Sequence, residues 1–265
     1  MRVGVVGAGY VGLTTAAGLA HLGHRVHAVD VDEGRVAELD RGEVSLPEPE
    51  LGPLVRAQNE LGRLSFGTDM SELSDCEVVF VCVPTPMGEV GAADLGAVYD
   101  TAELLARTLR PGAIVVSKST VPVGTAAQLE ALLSPSDIRV VSNPEFLRES
   151  HAVEDFLHPD RIVIGAAQAD TGDRVAALFR SIDAPVQRVG LESAELAKYA
   201  SNAFLAVKLS FVNELAELCE NVGADIRAVS ECMGLDPRIG PAFLNPGPGG
   251  GGSCHPKDTA AQLHL

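Results

Sequence analysis

The sequence predicts an α/β fold: a Rossmann-like, doubly wound, mostly parallel sheet, followed by a long central helix and a helical region suited to dimerisation. Three observations carry that prediction. Apolar runs of strand length alternate with helical patterns over roughly the first 190 residues. The first run ends in GAGYVG (7–12) and opens a helix. Near residue 192 the alternation stops, and ESAELAKYASNAFLAVKLSFVNELAELCENVG runs without Pro and reaches no Gly before Gly223. Near-continuous apolar strands belong to sheets buried on both faces, and the βα rhythm makes them parallel.

The elements follow in order. RVGVVG (2–7) reads as a buried strand, Tyr10 to Leu22 as a helix rich in small residues, RVHAVD (25–30) as the next strand, and 33–42 as a helix closed by Gly42. EVVFVCV (77–83) is a strand, 95–109 a helix, and GAIVVSKST (112–120), IRVVSNPEF (138–146) and RIVIGA (161–166) continue the strands. In the long stretch, Leu196, Tyr199, Ala203, Val207, Phe211, Leu215 and Leu218 recur at helical spacing. About 30 residues at 1.5 Å each give roughly 45 Å of helix. Ser193 is the expected N-cap and Gly223 the expected C′ residue. A further helix is expected from Asp225 to Met233. The domain reading is 1–190 for a dinucleotide-binding unit and 191–265 for the central helix, dimerisation region and a cysteine-bearing loop.

Composition bounds the function. The chain has 265 residues, 46% of them hydrophobic, no Trp, and a formal net charge of −16. It is long enough for a sizeable core, built from Val, Leu, Ile and Ala. The acidity argues against nonspecific nucleic-acid binding, and any anion site must be made locally by helix N-termini and a few cations. Five cysteines at irregular spacing fit neither a disulfide framework nor a zinc site, so reduced thiols in a cytoplasm are expected and no metal is implied. The apolar N-terminus places its glycines for a turn rather than a cleavage site, and no membrane span is expected.

GAGYVG matches G-x-G-x-x-G. Alone the pattern is weak, but here it follows a strand, opens a helix and precedes an acid, Asp30, at the end of the next strand. Gly7 allows the tight turn, Gly9 lets backbone approach a pyrophosphate, and Gly12 lets helix and strand pack closely. Asp30 suits a ribose 2′-hydroxyl and repels a 2′-phosphate, favouring NAD over NADP; on this motif alone FAD stays open.

Further candidates lie downstream. Lys198 and Asn202 are four apart and share a helix face; that lysine is either an exposed helix residue or a buried functional cation. Glu145 and Glu149 in SNPEFLRES are also four apart, and Thr120 closes a strand at the ligand-binding end of the sheet. GPGGGGSCHPKD (247–258) reads as a flexible hinge with a small buried cysteine, or as a loop of open amides ending in a nucleophile, Cys254, whose pKa Lys257 would lower, with Asp258 orienting a water or a lysine. A dinucleotide site decides for the second reading. A hydride acceptor takes an alcohol to an aldehyde, a thiolate captures it, a second hydride loss gives a thioester, and water releases an acid.

GAGYVGLTTAAGLAHLGHRVHAVDVDEGRV, KSTVPVGT, NPEFLRES, ESAELAKYASNAF, DPRIG and GGSCHPKD together resemble the UDP-glucose/GDP-mannose dehydrogenase family, in the family's order, from residue 1 to about 262. The resemblance implies NAD-dependent, four-electron oxidation of a nucleotide sugar at C6 to a uronic acid, with UDP-glucose the favoured substrate. It places the cofactor on Gly7, Gly9, Tyr10, Val11 and Gly12, on Asp30, Arg35, Thr85 and Thr120, and on Glu149 and Lys257. It makes Cys254 the nucleophile, puts Lys198 and Asn202 on the oxyanion, and sets Asp258, Glu145 and Thr120 about the water and reacting centre. The substrate would also meet Phe146, Leu147, Glu149, Phe243 and Gly251, while Arg238 would reach the nucleotide sugar of a neighbouring subunit. A homodimer through the long helix is implied, with no nucleic-acid or membrane partner.

Three departures stand out. Gly250 and His255 replace residues that are often aromatic in the family, and Val90 stands where an acid is common. The family also continues into a second Rossmann-like domain, whereas this sequence stops at Leu265, in the helix that leads there. The chain alone is therefore expected to dimerise and bind NAD but turn over poorly. GDP-mannose is the rival substrate, and a dinucleotide-binding, dimerising remnant without chemistry is the rival function. Ser253-Cys254 argues against N-acetylated sugars.

Overall fold

A computed structural model describes residues 1–88 and 92–248. Strands β1 (Arg2–Val6), β2 (Arg25–Val29), β3 (Leu64–Gly67), β4 (Val78–Val81), β5 (Ile114–Ser117), β6 (Arg139–Ser142), β7 (Ile162–Ala166) and β8 (Val186–Val189) form one sheet in the order β3-β2-β1-β4-β5-β6-β7-β8. All neighbours pair parallel except β6 and β7, which run antiparallel. Helices are α1 (Tyr10–His21), α2 (Glu33–Asp40), α3 (Leu51–Glu60), α4 (Gly96–Thr108), α5 (Thr125–Leu133), α6 (Ala152–Leu157), α7 (Ala169–Ala176), α8 (Leu191–Val222) and α9 (Ile226–Gly234).

Burial explains the apolar strands. β4 and β5 are buried at every position. Val78 and Phe80 enter one core with α1, α3 and α6 residues, and Val79 and Val81 enter another with α4 and α5 residues, so successive side chains serve opposite faces of the sheet. The edge strand β8, VQRV, lies mostly exposed, and polar residues are tolerated there. α1 lies close to α6 because it carries Gly18, where any Cβ would strike the Phe156 ring.

Strand order reverses at β1, whose neighbours are β2 and β4. Open α/β sheets bind ligands beside such a switch point, off the carboxyl ends of the strands. Because β7 is antiparallel, its amino end lies at that same edge, which brings Arg161 there.

The chain divides into two compact units, one of residues 1–86 and 93–196, the other of 87–92 and 197–265. In the second, α8 ends as its sequence dictates: Gly223 takes φ +75° and the Ala224 amide donates back to the Cys219 carbonyl. Asp225 caps α9 by accepting from the Arg227 amide. The start of α8 differs from expectation. The helix begins at Leu191, the Gly190 carbonyl accepts the Ala194 amide, and Ser193 lies inside the first turn. The buried Leu191 side chain, packed in the α4–α5 core, extends the helix past the residue whose local chemistry suits a cap.

Candidate functional site

The glycine turn follows β1. Gly7 has φ +92°, and a Cβ there would sit 2.8 Å from the Cys82 carbonyl oxygen at the end of β4. At Gly12 a Cβ would collide with the Gly7 carbonyl oxygen. At Gly9, the residue preceding α1, a Cβ would meet nothing within 4 Å. So Gly7 and Gly12 are glycines for internal reasons, and Gly9 faces open space at a helix N-terminus. Tyr10, Val11 and Gly12 form the first turn of that helix, with amide groups that lack helical partners.

Asp30, just past β2, is buried. Its Oδ2 accepts from the Ala8 amide at 2.7 Å and from Arg35 at 3.0 Å, and its Oδ1 accepts from the Asp32 amide at 3.0 Å. A carboxylate has about four acceptor positions, so Oδ1 keeps one for a hydroxyl donor. The Arg35 guanidinium lies against Asp30 at 3.0 Å and Asp32 at 3.7 Å, committed to carboxylates rather than open to a phosphate. Open space at Gly9, a helix N-terminus and one spare acceptor on Asp30 fit a dinucleotide ending in an unphosphorylated ribose.

Thr85 and Thr120 come together beyond β4 and β5: Thr85 Oγ1 donates to the Thr120 carbonyl at 2.9 Å, and Ser119 Oγ donates to the Val83 carbonyl at 2.6 Å. Beside them runs the segment after β6. Glu145 is buried and accepts from the Leu147 amide at 2.6 Å. Phe146 lies under Arg161, whose guanidinium carbon is 3.7 Å from the ring centroid. Glu149 is exposed.

Sequence reasoning missed the residues that hold this segment. Lys118 is buried and donates to Asn143 Oδ1 at 3.1 Å, while Asn143 Nδ2 donates to the Val163 carbonyl at 2.9 Å. Glu48, also buried, accepts the amides of Ser150 at 2.6 Å and Ala152 at 3.1 Å. Ser150 takes φ +67°, a conformation that costs energy for a non-glycine residue and persists only when its surroundings impose it. An ionisable residue closing an apolar strand (Lys118) and an acid between two prolines (Glu48) were the available signals. Burial pushes the Cys82 thiol up to about 12, Lys118 and Thr15 pull against this and Glu145 adds to it, so the thiol beside the glycine turn stays protonated.

On α8, Glu195, Lys198, Tyr199 and Asn202 are all buried and share one face by their spacing, which settles Lys198 as a buried residue. Glu195 accepts the amides of Gly124 and Ala126, each at 2.7 Å, at the start of α5. Arg238 is highly exposed and paired with Asp236 at 2.6 Å. Phe243 takes φ +62°. Gly251, Cys254, Lys257 and Asp258, with Val90, Gly250 and His255, lie outside the described residues.

Comparisons with known proteins give the arrangement its relatives. Residues 1–183 match the model of the UDP-glucose/GDP-mannose dehydrogenase family, NAD binding domain, and residues 192–265 match the same family's central domain. The UDP-glucose 6-dehydrogenase of Pseudomonas aeruginosa is 48% identical over 99% of this chain and 61% of its own length. The UDP-glucose 6-dehydrogenase YwqF of Bacillus subtilis is 44% identical over 100% of this chain and 62% of its own length. A solved UDP-glucose dehydrogenase from the hyperthermophilic archaeon Pyrobaculum islandicum superposes with TM-score 0.95 at 41% identity, covering 99% of this chain and 63% of that one. The chain thus spans a little over three fifths of the length of these relatives.

Proposed function

The chain belongs to the UDP-glucose/GDP-mannose dehydrogenase family, with residues 1–183 as its NAD-binding domain, and from that premise we propose that it carries out the four-electron oxidation of UDP-glucose to UDP-glucuronate. The observation that carries this reading is the gathering of Gly9, Asp30, Thr85, Thr120 and Glu145 along one carboxyl edge of the sheet, beside the switch point between β1 and β4. Relatives named for UDP-glucose favour that substrate over GDP-mannose. A domain boundary near residue 190 belongs to the same proposal.

Gly9 and the amides of Tyr10, Val11 and Gly12 would hold the NAD pyrophosphate, Asp30 a ribose hydroxyl, and Thr85, Thr120, Glu149 and Lys257 would complete its contacts, with Arg35 holding Asp30 in place. When bound, NAD supplies the hydride acceptor, used twice in each turnover. The chain's residues do the rest. Once the C6 alcohol has lost a hydride and a proton, the Cys254 thiolate adds to the aldehyde carbon. Lys198 and Asn202 donate to the resulting oxyanion. The thiohemiacetal loses its carbon-bound hydrogen as the second hydride and becomes a thioester. Asp258 and Thr120 orient a water, Glu145 takes its proton, and attack at the carbonyl releases the carboxylate and returns the thiolate. Phe146, Leu147, Phe243 and Gly251 would line the sugar nucleotide, and Arg238 would serve the neighbouring subunit.

A second copy would cover the apolar side of α8, where Phe204, Val207, Phe211, Leu218 and Val222 are exposed. The proposed compartment is the reducing cytoplasm, where Cys254 would stay a thiol; among the described residues no helix is long and apolar enough to cross a membrane.

The test is NADH formed per UDP-glucose consumed by purified chain, run beside Cys254→Ser and beside GDP-mannose, with sedimentation on the same preparation. Two NADH per UDP-glucose, a stalled variant and a dimer are expected. NADH from GDP-mannose alone would overturn the substrate, an active Cys254→Ser the thioester route, and a monomer the dimer.

A further inference from the structure

We propose that the Tyr10 phenol donates a hydrogen bond to a hydroxyl oxygen of the bound sugar, a contact separate from the one its backbone makes with the cofactor. The inference rests on the nucleotide-sugar reading above and adds a residue to that site. Tyr10 opens α1, and its Oη is buried with no hydrogen-bond partner among the described residues. Buried polar atoms are nearly always paired, and an unpaired one calls for a reason. A phenylalanine would fill the same space without the cost of an orphaned hydroxyl.

The surroundings say what the partner must be. Tyr10 lies within electrostatic reach of Glu48, Glu145, Glu149 and Asp155. Three of these carboxylates already accept protein donors: Glu48 from Ser150 and Ala152, Glu145 from Leu147, and Asp155 from Arg148. Burial, then the four carboxylates, raise the phenol's pKa, so the group stays protonated and offers a donor. A phosphate oxygen brought there would meet like charge. A neutral hydroxyl would not: it accepts from Tyr10 and gives its own proton to a carboxylate such as Glu145. The sugar ring is the part of a nucleotide sugar rich in such groups. Arg161 and Lys118 hold this segment through Phe146 and Asn143, on either side of Glu145 in sequence, so this carboxylate is placed by residues outside the turn.

Tyr10→Phe removes one oxygen and nothing else, and the proposal gives it opposite signs in two measurements. Without ligand, the melting temperature should rise by about 2–4 °C, since an unpaired buried hydroxyl is gone. With NADH present, UDP-glucose should bind about fivefold to tenfold more weakly by calorimetry, the loss of one neutral hydrogen bond, while NADH affinity by fluorescence stays unchanged. A melting temperature that falls would mean the phenol is satisfied within the fold, and would overturn the proposal. Equal UDP-glucose affinity in both proteins would remove the contact and leave the substrate reading standing. A wild-type chain that takes NADH but no UDP-glucose would sink the substrate reading and the contact with it.

Discussion

The glycine turn at 7–12 and the segment at 143–152 lie along the same edge of the sheet, but they are held in different ways. The turn is held by its own backbone and the strands beside it: Gly12 packs on the Gly7 carbonyl, Gly7 packs on the Cys82 carbonyl and donates its amide to the Val29 carbonyl, and Asp30 accepts the Ala8 amide. The 143–152 segment is held from elsewhere, by Lys118 on Asn143, Arg161 on Phe146, Glu48 on Ser150 and Ala152, and Asp155 on Arg148. A site for an invariant ligand part, such as a pyrophosphate, can be written in backbone. A loop that must present a carboxylate at a fixed place needs side chains to fix it, and each of those is a separate point of failure.

The largest effect expected follows from the turn's internal packing. Gly12→Ala puts a Cβ into the Gly7 carbonyl, so backbone must move. We expect a loss of about 3 kcal/mol or more, seen as a melting temperature lower by at least about 6 °C, and loss of NADH binding. Gly9→Ala sharpens the contrast, because its Cβ enters open space. Its melting temperature should stay within about 1 °C of wild type while NADH binds at least about tenfold more weakly. If both variants fold and bind alike, the two glycines do not have the separate roles assigned to them.

That contrast also explains what could be read from the sequence. The turn was legible because its requirements are local: three glycines at fixed spacing, a strand before, a helix after and Asp30 closing the next strand. Glu48 was not, because its partners Ser150 and Ala152 lie 102 and 104 residues away, and nothing near PEPE announces them. The role of Lys118 has no local signature either, since its partner Asn143 is 25 residues on. Helix α3 has a weak local signal, since LGPLVRAQNE carries a glycine and a proline; Pro53 is harmless there, in a first turn whose amides have no helical partners. The antiparallel β7 was hidden too, since a short apolar run carries no sign of its direction.

Glu48→Ala tests whether the side-chain-held segment is as separable as the comparison implies. It leaves the Ser150 and Ala152 amides without their acceptor and removes what imposes the positive φ at Ser150. A cost of about 2 kcal/mol is expected, read as a lower urea midpoint. NADH affinity should hold, because the turn does not use Glu48. A matching loss of NADH binding would show that the two regions stand or fall together.

Asp155 gives the smallest effect and the finest test, because its contribution can be switched by pH. It accepts the Arg148 amide at 2.8 Å and grips the guanidinium through both oxygens, at 2.6 Å and 2.9 Å. Burial pulls its pKa up, but the hydrogen bonds and charge of Arg148 outweigh this and hold it below the ordinary aspartate value. The folded state therefore binds fewer protons than the unfolded chain through that range. The stabilisation is complete above the unfolded pKa of about 3.9 and is lost as the pH falls through the lower folded value. Arg148 is well exposed, so solvent screening limits the pair to less than about 1 kcal/mol. Urea midpoints of wild type and Asp155→Asn should differ at pH 7 and pH 5 and converge as the pH falls through the lowered folded value. A gap that persists unchanged at the acid end would show that the Asp155 charge is not its source, because the backbone contact at Arg148 is one an asparagine oxygen still accepts, and would overturn the assignment of the effect to the carboxylate–guanidinium pair.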